Sequence, residues 1–352
     1  MKRQDSDTRP KEIKCVAWDL DGTLWDGILL EGDHIELKPR IREIFEILDS
    51  RGILHSIASK NDHDAAMAKL NEFGLSDYFL FPEVHWNPKS ESIDRIRKNL
   101  NIGLETILFI DDQPYEREEV HQAHPEVTCL DASDYGSLLQ DPRLNPEFIT
   151  EDSRRRRLMY IEEIKRKTEQ KKFKGPKKKY LASLNIRFSI SPAVEEDLRR
   201  AAELIIRTNQ LNTTGEIYGY DELRAYLNSG DYQLLVCGME DKFGSYGKVG
   251  LALLQTHPHF WHLKLLLMSC RVVSYGVGTI LLSYIMSEAK RAGKKVRADF
   301  RPTGKNKMMY VTLKFANFRE IGHEPDGTLV LENDLSRVQR VPPYINVIAG
   351  EE

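Results

Sequence analysis

Acidic residues follow two predicted strands in the N-terminal part of the chain, at the points where the strands end. Asp19 and Asp21 come directly after the apolar run IKCVAW, and Asp111 and Asp112 come directly after TILFI. Carboxylates brought to one place repel each other unless a hard cation neutralises them, and oxygen ligands of this kind suit Mg²⁺. The sequence therefore predicts a magnesium site formed by these four residues.

Two further residues have the chemistry to hold an anion beside that cation. Ser59 ends the predicted strand ILHSIAS, and Lys89 opens the helix that precedes TILFI. A hydroxyl and an ammonium near a metal favour a phosphoryl group.

The elements that must position these residues alternate between strand and helix. The apolar spacing predicts a helix over 39–51 with Pro39 at its start, a helix capped by Asn61, and helices over 90–100 and 116–123. YFLFPEV and EVTCL complete a set of five predicted strands. This alternation predicts an α/β domain with a mostly parallel sheet covered on both faces, and chemistry at the carboxyl ends of the strands.

A short stretch between the first acidic pair and the first helix has room for a flap. The stretch WDGILLEGDHIELK fits a β-hairpin with Gly32-Asp33 at its turn. It is too short for a separate cap domain, so the predicted domain is capless.

In this order, the stretch Asp19-x-Asp21-Gly22-Thr23, Ser59, Lys89 and the pair Asp111-Asp112 resemble the four motifs of the haloacid dehalogenase-like (HAD) phosphotransferase superfamily. The resemblance implies that Asp19 is a nucleophile forming an aspartyl-phosphate and that Asp21 is the acid/base. It implies phosphoryl binding by Ser59 and Lys89, and Mg²⁺ held by Asp19, the Asp21 carbonyl, Asp111 and Asp112. We assign three residues adjoining these motifs to substrate binding: Thr23, Lys60 and Asn61. A degenerate, non-catalytic version of the site stays open as an alternative.

The C-terminal part of the chain has a different pattern of predicted strands and helices. LNIRFSI, QLLVCGME, KVGLALLQ, KVRADF and the long run HLKLLLMSCRV read as strands, and TILLSYIMSEAKRAG reads as a helix. Hairpins mixed with packed helices predict a separate α+β domain.

A glycine-containing turn lies between a strand and a helix of this second part. Gly276 and Gly278 fit either a phosphate seat on exposed N–H groups or simply a tight turn. The order of strand, glycine-rich turn, helix and strand, followed by Asn306 and Tyr310, resembles the GNAT-like acetyltransferase fold. In that fold the loop takes the pyrophosphate of coenzyme A or an equivalent pantetheine arm.

Three segments make the resemblance more specific: Arg207 to Thr214, Leu267 to Val272 and Arg301 to Asn306. They resemble FkbH-like glyceryl-carrier-protein synthases of polyketide pathways (HAD subfamily IIIC), although Ser274-Tyr275 stands where that family usually has Gly-Arg. The resemblance implies dephosphorylation of 1,3-bisphosphoglycerate and delivery of the glyceryl unit to the phosphopantetheine thiol of an acyl carrier protein. The residues assigned to substrate or arm binding are Asn209, Gln210, Asn212, Thr213, Arg271, Gly276, Gly278 and Asn306.

Cys270 is the candidate acyl acceptor. A thiolate attacks an acyl phosphate, forms a thioester and passes the acyl group to a pantetheine thiol. The alternative is an inert core thiol, the interpretation we give to Cys15, Cys129 and Cys237.

The run from His257 to His262 reads as a polar loop rather than a metal site. His262 precedes Cys270 by eight residues on one predicted strand, about 26 Å if extended, too far to be its base.

The charge of the chain is unevenly distributed. With 51 Lys plus Arg and 54 Asp plus Glu, the net charge is 51 − 54 = −3, yet residues 151–180 hold 13 basic and 5 acidic residues, a local +8. We predict a HAD-like domain over 1–150, a basic helical linker over 151–180 and an acyl-transfer domain over 181–352. The basic linker is either a solvated helix face or a steering surface for an acidic carrier protein.

The composition predicts no nucleic-acid partner, no membrane segment and a cytoplasmic location.

Three functions stay open at this point. The first is glyceryl transfer through a Cys270 thioester, with the division of the two dephosphorylations between the domains undecided. The second is a small-molecule HAD phosphatase fused to a coenzyme A-dependent N-acyltransferase. The third is a catalytically silent docking protein.

Overall fold

The computed structural model of the protein describes residues 12–350. The chain divides into two units, Met1–Ile164 and Lys165–Glu352. The division falls inside the basic segment 151–180, within one helix.

The first unit is built around a five-stranded parallel sheet. The strands pair in parallel in the order β5-β4-β1-β6-β7. The central strands are short apolar runs, as expected for a parallel sheet that is buried on both faces. The strands of this unit are β1 (Cys15–Trp18), β2 (Trp25–Asp26), β3 (Glu36–Leu37), β4 (Leu54–Ser59), β5 (Glu83–Val84), β6 (Ile107–Asp111) and β7 (Thr128–Asp131).

Helices cover both faces of this sheet. They are α1 (Ile41–Ser50), α2 (His63–Glu72), α3 (Lys89–Leu100), α4 (Pro114–Ala123), α5 (Glu151–Arg154) and α6 (Arg156–Lys172), the last of which continues into the second unit. Successive side chains of β1 pack into two different hydrophobic clusters. Val16 and Trp18 pack in one cluster with α1 and α2, whereas Cys15 and Ala17 pack in another with α3 and α4. The predicted α/β class is confirmed.

Several predicted boundaries in this unit are wrong. Helix α1 begins at Ile41 rather than Pro39 because Arg40 has a left-handed conformation, with φ of 61°. The N-cap of α2 is Asp62 rather than Asn61, since the Asp62 side chain accepts from the backbone N–H of Ala65. YFLFPEV contributes only the two residues of β5, and α4 begins two residues early, at Pro114.

The predicted flap forms a short hairpin. β2 and β3 are antiparallel, with Trp25 opposite Leu37 and Asp26 opposite Glu36. Gly32 lies in the connection with φ of +79°, a left-handed conformation that favours glycine.

The second unit is built around an eight-stranded mixed sheet in the order β13-β14-β12-β11-β10-β9-β8-β15. Its neighbours are antiparallel except for the parallel pairs β11–β12 and β8–β15. The strands are β8 (Ile186–Pro192), β9 (Tyr232–Asp241), β10 (Gly244–Thr256), β11 (Phe260–Met268), β12 (Lys295–Phe300), β13 (Arg319–His323), β14 (Leu329–Asn333) and β15 (Ile345–Ala349). The helices are α7 (Lys177–Ala182), α8 (Leu198–Arg207), α9 (Tyr220–Leu227), α10 (Ile280–Arg291) and α11 (Lys307–Phe315). The predicted α+β class is confirmed.

The parallel strands β11 and β12 separate after four residue pairs, Phe260–Leu263 with Lys295–Ala298. A segment of the same chain, 211–214, lies between their ends. The Thr213 N–H donates to the Leu266 carbonyl at 3.0 Å, and the Arg301 N–H donates to the Thr213 carbonyl at 3.0 Å. The Thr213 hydroxyl also accepts from the Leu266 N–H at 3.0 Å. This segment therefore continues the hydrogen bonding of the sheet where the two strands diverge.

The predicted long strand through Cys270 is wrong at its end. Its pairing with β10 stops at Met268, opposite Gly250, and the Ser269 N–H turns to the Val249 carbonyl. Cys270 is instead the first residue of a 3₁₀ turn over Cys270–Tyr275. Among the described helices, none has the length and apolar character needed to cross a bilayer.

Candidate functional site

Three predicted site residues meet at the carboxyl ends of β1 and β6. Asp19 directly follows β1, Asp111 ends β6, and Lys89 is the first residue of α3. The Lys89 ammonium lies 2.9 Å from Oδ1 of Asp19 and also bonds Oδ2 of Asp111. All three residues are buried. Although burial lowers it, the two carboxylates raise the pKa of Lys89 above its ordinary value.

Carboxylates of Asp19, Asp111 and Asp112 form a group with the geometry of a cation site. Each offers an oxygen, and these oxygens lie within 4.8 Å of one another; in the described part of the chain no other group of three or more such ligands occurs. Burial and the charge of Asp19 raise the pKa of Asp111 to about 7 and also raise the pKa of Asp112. Clustered carboxylate oxygens of this kind, from the buried Asp19 and Asp111 and the exposed Asp112, fit Mg²⁺.

Gly22 and Thr23 position Asp112. Gly22 has φ of +70°, and a Cβ at this residue would lie 2.6 Å from Oδ2 of Asp112. The fully buried Thr23 hydroxyl accepts from the Asp112 N–H at 3.0 Å. The structure thus places Thr23, which we assigned to substrate, against the backbone of a candidate metal ligand.

The side chain of Asp21 is held by three donors. Oδ1 accepts from Trp25 Nε1 at 2.7 Å and from the Leu29 N–H at 3.2 Å, and Oδ2 accepts from Asn61 Nδ2 at 2.8 Å. Burial raises the pKa of Asp21 despite these bonds. Its carboxylate is therefore tied to the flap and to the end of β4, and it is not one of the clustered metal-type ligands.

Ser59 and Lys60 lie at the end of β4. The Ser59 hydroxyl is buried and makes no hydrogen bond to the residues that the structure describes. Lys60 Nζ pairs with Oε1 of Glu116 at 2.6 Å. Glu116 was not among the residues predicted from sequence; the available signal was an acidic residue in the first turn of the helix that follows Asp111-Asp112.

In the second unit, several predicted site residues form hydrogen bonds between their side chains and the backbone of the same unit. Asn306 Nδ2 donates to the carbonyls of Asn212 and Arg301, at 3.0 and 2.9 Å, and Asn306 Oδ1 accepts from the Thr303 N–H. Asn212 Oδ1 accepts from the Gly215 N–H at 2.8 Å. Asn212, Thr213 and Asn306 are buried, whereas Asn209 and Gln210 are exposed.

Cys270 lies in a loop rather than in the sheet. It is a free, half-buried thiol at the start of its 3₁₀ turn. Its neighbour Arg271 donates to the Tyr246 carbonyl at 3.1 Å. Gly276 closes the turn with φ of +76°, and Gly278 lies two residues before α10, whose N-cap side chain makes no capping hydrogen bond.

The remaining cysteines and His262 have structural surroundings. Cys15 and Cys237 are buried, and burial raises the pKa of both thiols; the half-buried Cys129 has its pKa raised to about 11. His262 Nε2 lies 2.6 Å from Oδ1 of Asp299, a carboxylate that also bonds Lys264. This His–Asp–Lys group was also missed from sequence, because its members come from two strands.

Comparisons with known proteins agree with the geometry of the first unit. Residues 26–118 match the family model of haloacid dehalogenase-like hydrolases. The human Magnesium-dependent phosphatase 1 is 26% identical over 136 residues, which is 33% of this chain and 76% of that protein. The first unit therefore contains a haloacid dehalogenase-like (HAD) hydrolase domain.

Two solved structures resemble separate parts of the chain. The N-terminal part of a Bacteroides fragilis protein, with a phosphatase domain complexed with Mg, is 29% identical over 38% of this chain, with a TM-score of 0.33; the match spans 40% of that chain. The ribosomal-protein-S18-alanine N-acetyltransferase of Escherichia coli is 15% identical over 43% of this chain and 96% of its own, with a TM-score of 0.34.

Proposed function

We propose that the first unit is a Mg²⁺-dependent phosphatase whose nucleophile is Asp19. The observation that carries this proposal is the contact of one buried ammonium, Lys89, with Asp19 and Asp111, beside a third carboxylate from Asp112. Such a set holds a nucleophile, a metal and a phosphoryl group within one crevice. The HAD family match and the phosphatase relatives support it.

The proposed reaction has two steps, in which each residue keeps the role implied by the HAD resemblance. An Asp19 oxygen attacks phosphorus, the bond between phosphorus and the substrate oxygen breaks, and Asp21 gives a proton to the leaving oxygen. A water molecule then attacks phosphorus, Asp21 takes its proton, and Asp19 and inorganic phosphate are released. Ser59 and Lys89 bind the phosphoryl oxygens. Asp19, Asp111 and Asp112 would hold Mg²⁺, which would offset the charge that builds up on those oxygens.

We further propose that the substrate is 1,3-bisphosphoglycerate and that its glyceryl unit passes through Cys270 to an acyl carrier protein. The Cys270 sulfur attacks carbon 1, the C–S bond forms, the C–O bond to phosphate breaks, and the thiol proton passes to solvent. Exchange with a phosphopantetheine thiol then frees Cys270. The support is the resemblance of the second-unit motifs and the placement of a free thiol in a loop outside the sheet.

An acidic carrier protein would meet the basic segment 151–180. Of its 13 basic residues, Arg156, Arg157 and Arg166 are engaged internally: Arg156 donates to the Gly52 carbonyl, Arg157 pairs with Asp49, and Arg166 pairs with Asp241. Exposed basic residues are left at 154, 155, 165, 167, 171, 172, 174 and 177–179. Apart from Lys172, which pairs with Glu169, these charges are available to steer an acidic partner in the cytoplasm.

Intact-mass measurement tests this scheme. The chain is incubated with 1,3-bisphosphoglycerate, Mg²⁺ and a holo carrier protein. We expect a glyceryl adduct on the chain that is lost in Cys270→Ala, followed by the same adduct on the carrier. Phosphate release with no adduct on either protein would contradict the transfer and favour a phosphatase joined to a coenzyme A-dependent N-acyltransferase. An Asp19→Asn variant with unchanged activity would favour a non-catalytic docking role.

A further inference from the structure

The ion pair between Lys60 and Glu116 spans the end of the strand that carries the nucleophile. Lys60 directly follows β4, and Glu116 is the third residue of α4, which follows β6. β4 and β6 flank β1 in the sheet, and all three strands end at the same edge. The 2.6 Å contact therefore joins the two segments on either side of Asp19.

The carboxylate of Glu116 is only half satisfied. Its side chain is 7% exposed, and Oε2 is buried without a hydrogen-bond partner among the described residues. A buried carboxylate oxygen left unpaired destabilises the fold, so an ion pair kept for stability alone would use both oxygens. The arrangement instead holds the Lys60 ammonium at one position against the first turn of α4.

The two lysines of the site differ in their availability to a ligand. Lys89 is 4% exposed and is engaged by Asp19 and Asp111. The Lys60 side chain is 33% exposed, and an ammonium carries three N–H donors, of which the contact with Glu116 uses one. Lys60 thus has donors left for an anion that arrives from solvent.

We propose that Lys60 binds a second anionic group of the substrate and that Glu116 is its positioning residue. The inference rests on the proposed phosphatase function, in which Ser59 and Lys89 hold the phosphoryl group that is removed. Lys60 directly follows Ser59, and its partner Glu116 lies in the first turn of the helix that follows Asp111 and Asp112. A group bound at Lys60 and one bound at Ser59 therefore lie at the same edge of the sheet and belong to the same small molecule. The substrate class is a phosphate ester with a carboxylate or a second phosphate a few bonds away.

Two substrates of matched size test this inference: 3-phosphoglycerate, which has the second anion, and glycerol 3-phosphate, which has a hydroxymethyl group in its place. We expect the unaltered chain to prefer 3-phosphoglycerate. In Lys60→Met this preference in kcat/KM drops about 10- to 100-fold, the range expected for one hydrogen bond between charged groups. The change should lie in KM rather than in kcat. Equal losses on both substrates, or no loss on either, would overturn the proposal.

Glu116 is tested by variants that separate positioning from folding. Glu116→Gln weakens the ion pair at nearly constant shape, and we expect it to reduce the same preference through KM. An unreduced preference would overturn the positioning role. Because Lys60→Met leaves a buried charge unpaired, the double variant with Glu116→Gln is measured as well; it should regain thermal stability but not the preference. Lys69→Met, on α2 and paired with Glu72, is the matched control and should keep the preference.

The outcome also distinguishes this inference from the function on which it rests. p-Nitrophenyl phosphate has no second anion and reports phosphatase chemistry alone. If the chain hydrolyses it but shows no preference for 3-phosphoglycerate, the second-anion inference fails and the phosphatase stands. If it hydrolyses none of the three esters with Mg²⁺ present, both fail.

Discussion

The indole Nε1 of Trp25 donates a 2.7 Å hydrogen bond to Oδ1 of Asp21. Trp25 is fully buried at the base of the flap, and the flap residue Leu29 donates its backbone N–H to the same oxygen. The flap and the candidate acid/base are thus one hydrogen-bonded unit, so that the orientation of the carboxylate depends on where the flap lies.

Replacing this donor should impair proton transfer to the leaving group. We expect Trp25→Phe to lower kcat about 10-fold on an alkyl phosphate, because a hydrogen bond to a charged group contributes about 1.5–3 kcal/mol. The loss on p-nitrophenyl phosphate should be smaller, since its leaving group needs little protonation. Steady-state kinetics on both esters measure the difference. Trp86→Phe, at a residue 66% exposed, is the control; an equal loss on both esters would contradict the assignment.

Two glycines with similar backbone angles should respond differently to alanine. Gly22 and Gly32 have φ of +70° and +79°, so each alanine variant costs about 1–2 kcal/mol of backbone strain. At Gly32 no atom lies within 4 Å of the added Cβ, whereas at Gly22 it meets Asp112 Oδ2 at 2.6 Å. We therefore expect only Gly22→Ala to lose the rise in Tm on adding Mg²⁺. Retention of that rise would show that Asp112 is not a ligand.

A buried ion pair within the second unit joins Arg166, in the C-terminal part of α6, to Asp241. Arg166 is 1% exposed, bonds both oxygens of Asp241 and lies 4.0 Å from the Tyr246 ring centroid. Arg166→Met leaves the Asp241 charge buried and unpaired, so the unfolding free energy should fall by about 3–5 kcal/mol.

Denaturation of the full chain measures this cost, and Asp241→Asn added to Arg166→Met should restore part of it. Arg187→Met is the control, because its pair with Glu240 is more than half exposed on the arginine side and should contribute about 0–1 kcal/mol. Similar losses for both arginines would contradict the buried-charge argument.

His55 should make the first unit sensitive to acid. Burial, with a smaller effect of the Arg157 charge, lowers the pKa of His55 to about 3. In the unfolded chain the His55 imidazole is protonated below about pH 6.5, whereas in the folded chain it stays neutral down to about pH 3. The stability of the fold therefore falls as the pH drops from about 6.5 towards 3. At pH 5 the loss is about 2 kcal/mol relative to pH 7.5.

Hydrogen exchange of β4 in the full chain reports this loss. His55→Gln keeps an acceptor for Trp18 Nε1, which donates to His55 Nδ1 at 3.1 Å, and should remove most of the pH effect. His63→Gln, at an exposed residue that begins α2, should leave it unchanged. A pH profile of His55→Gln identical to that of the unaltered chain would contradict the prediction.

The first unit was largely predictable because its signals are local. Buried apolar runs followed at once by acidic residues mark both β1 and β6, and parallel pairing brings their ends together. The start of α1 was not predictable, since the left-handed Arg40 has no sequence signature. Glu116 was missed because its significance depends on Lys60, which lies 56 residues away in the sequence.

The second unit was less predictable for the same reason. Asn212 and Asn306 stood out as polar residues in shared motifs, and a ligand role was the natural interpretation. The structure shows that the Asn306 side chain donates to the Asn212 carbonyl, 94 residues away in the sequence, and that the Asn212 side chain accepts from the nearby Gly215 N–H. The end of β11 depends on where pairing with Gly250 stops, which the apolar run through Met268 does not reveal.

The segment over 211–214 ties together two parts of the second unit that are far apart in sequence. Through Leu211 and Thr213 it fixes the end of β11, which leads into Cys270, and through Thr213 it fixes Arg301, which leads into Asn306. The position of the candidate thiol and the position of the Arg301–Asn306 turn therefore depend on the same segment. A change that displaces one four-residue segment moves both, so natural or engineered variation at either place is constrained by the other.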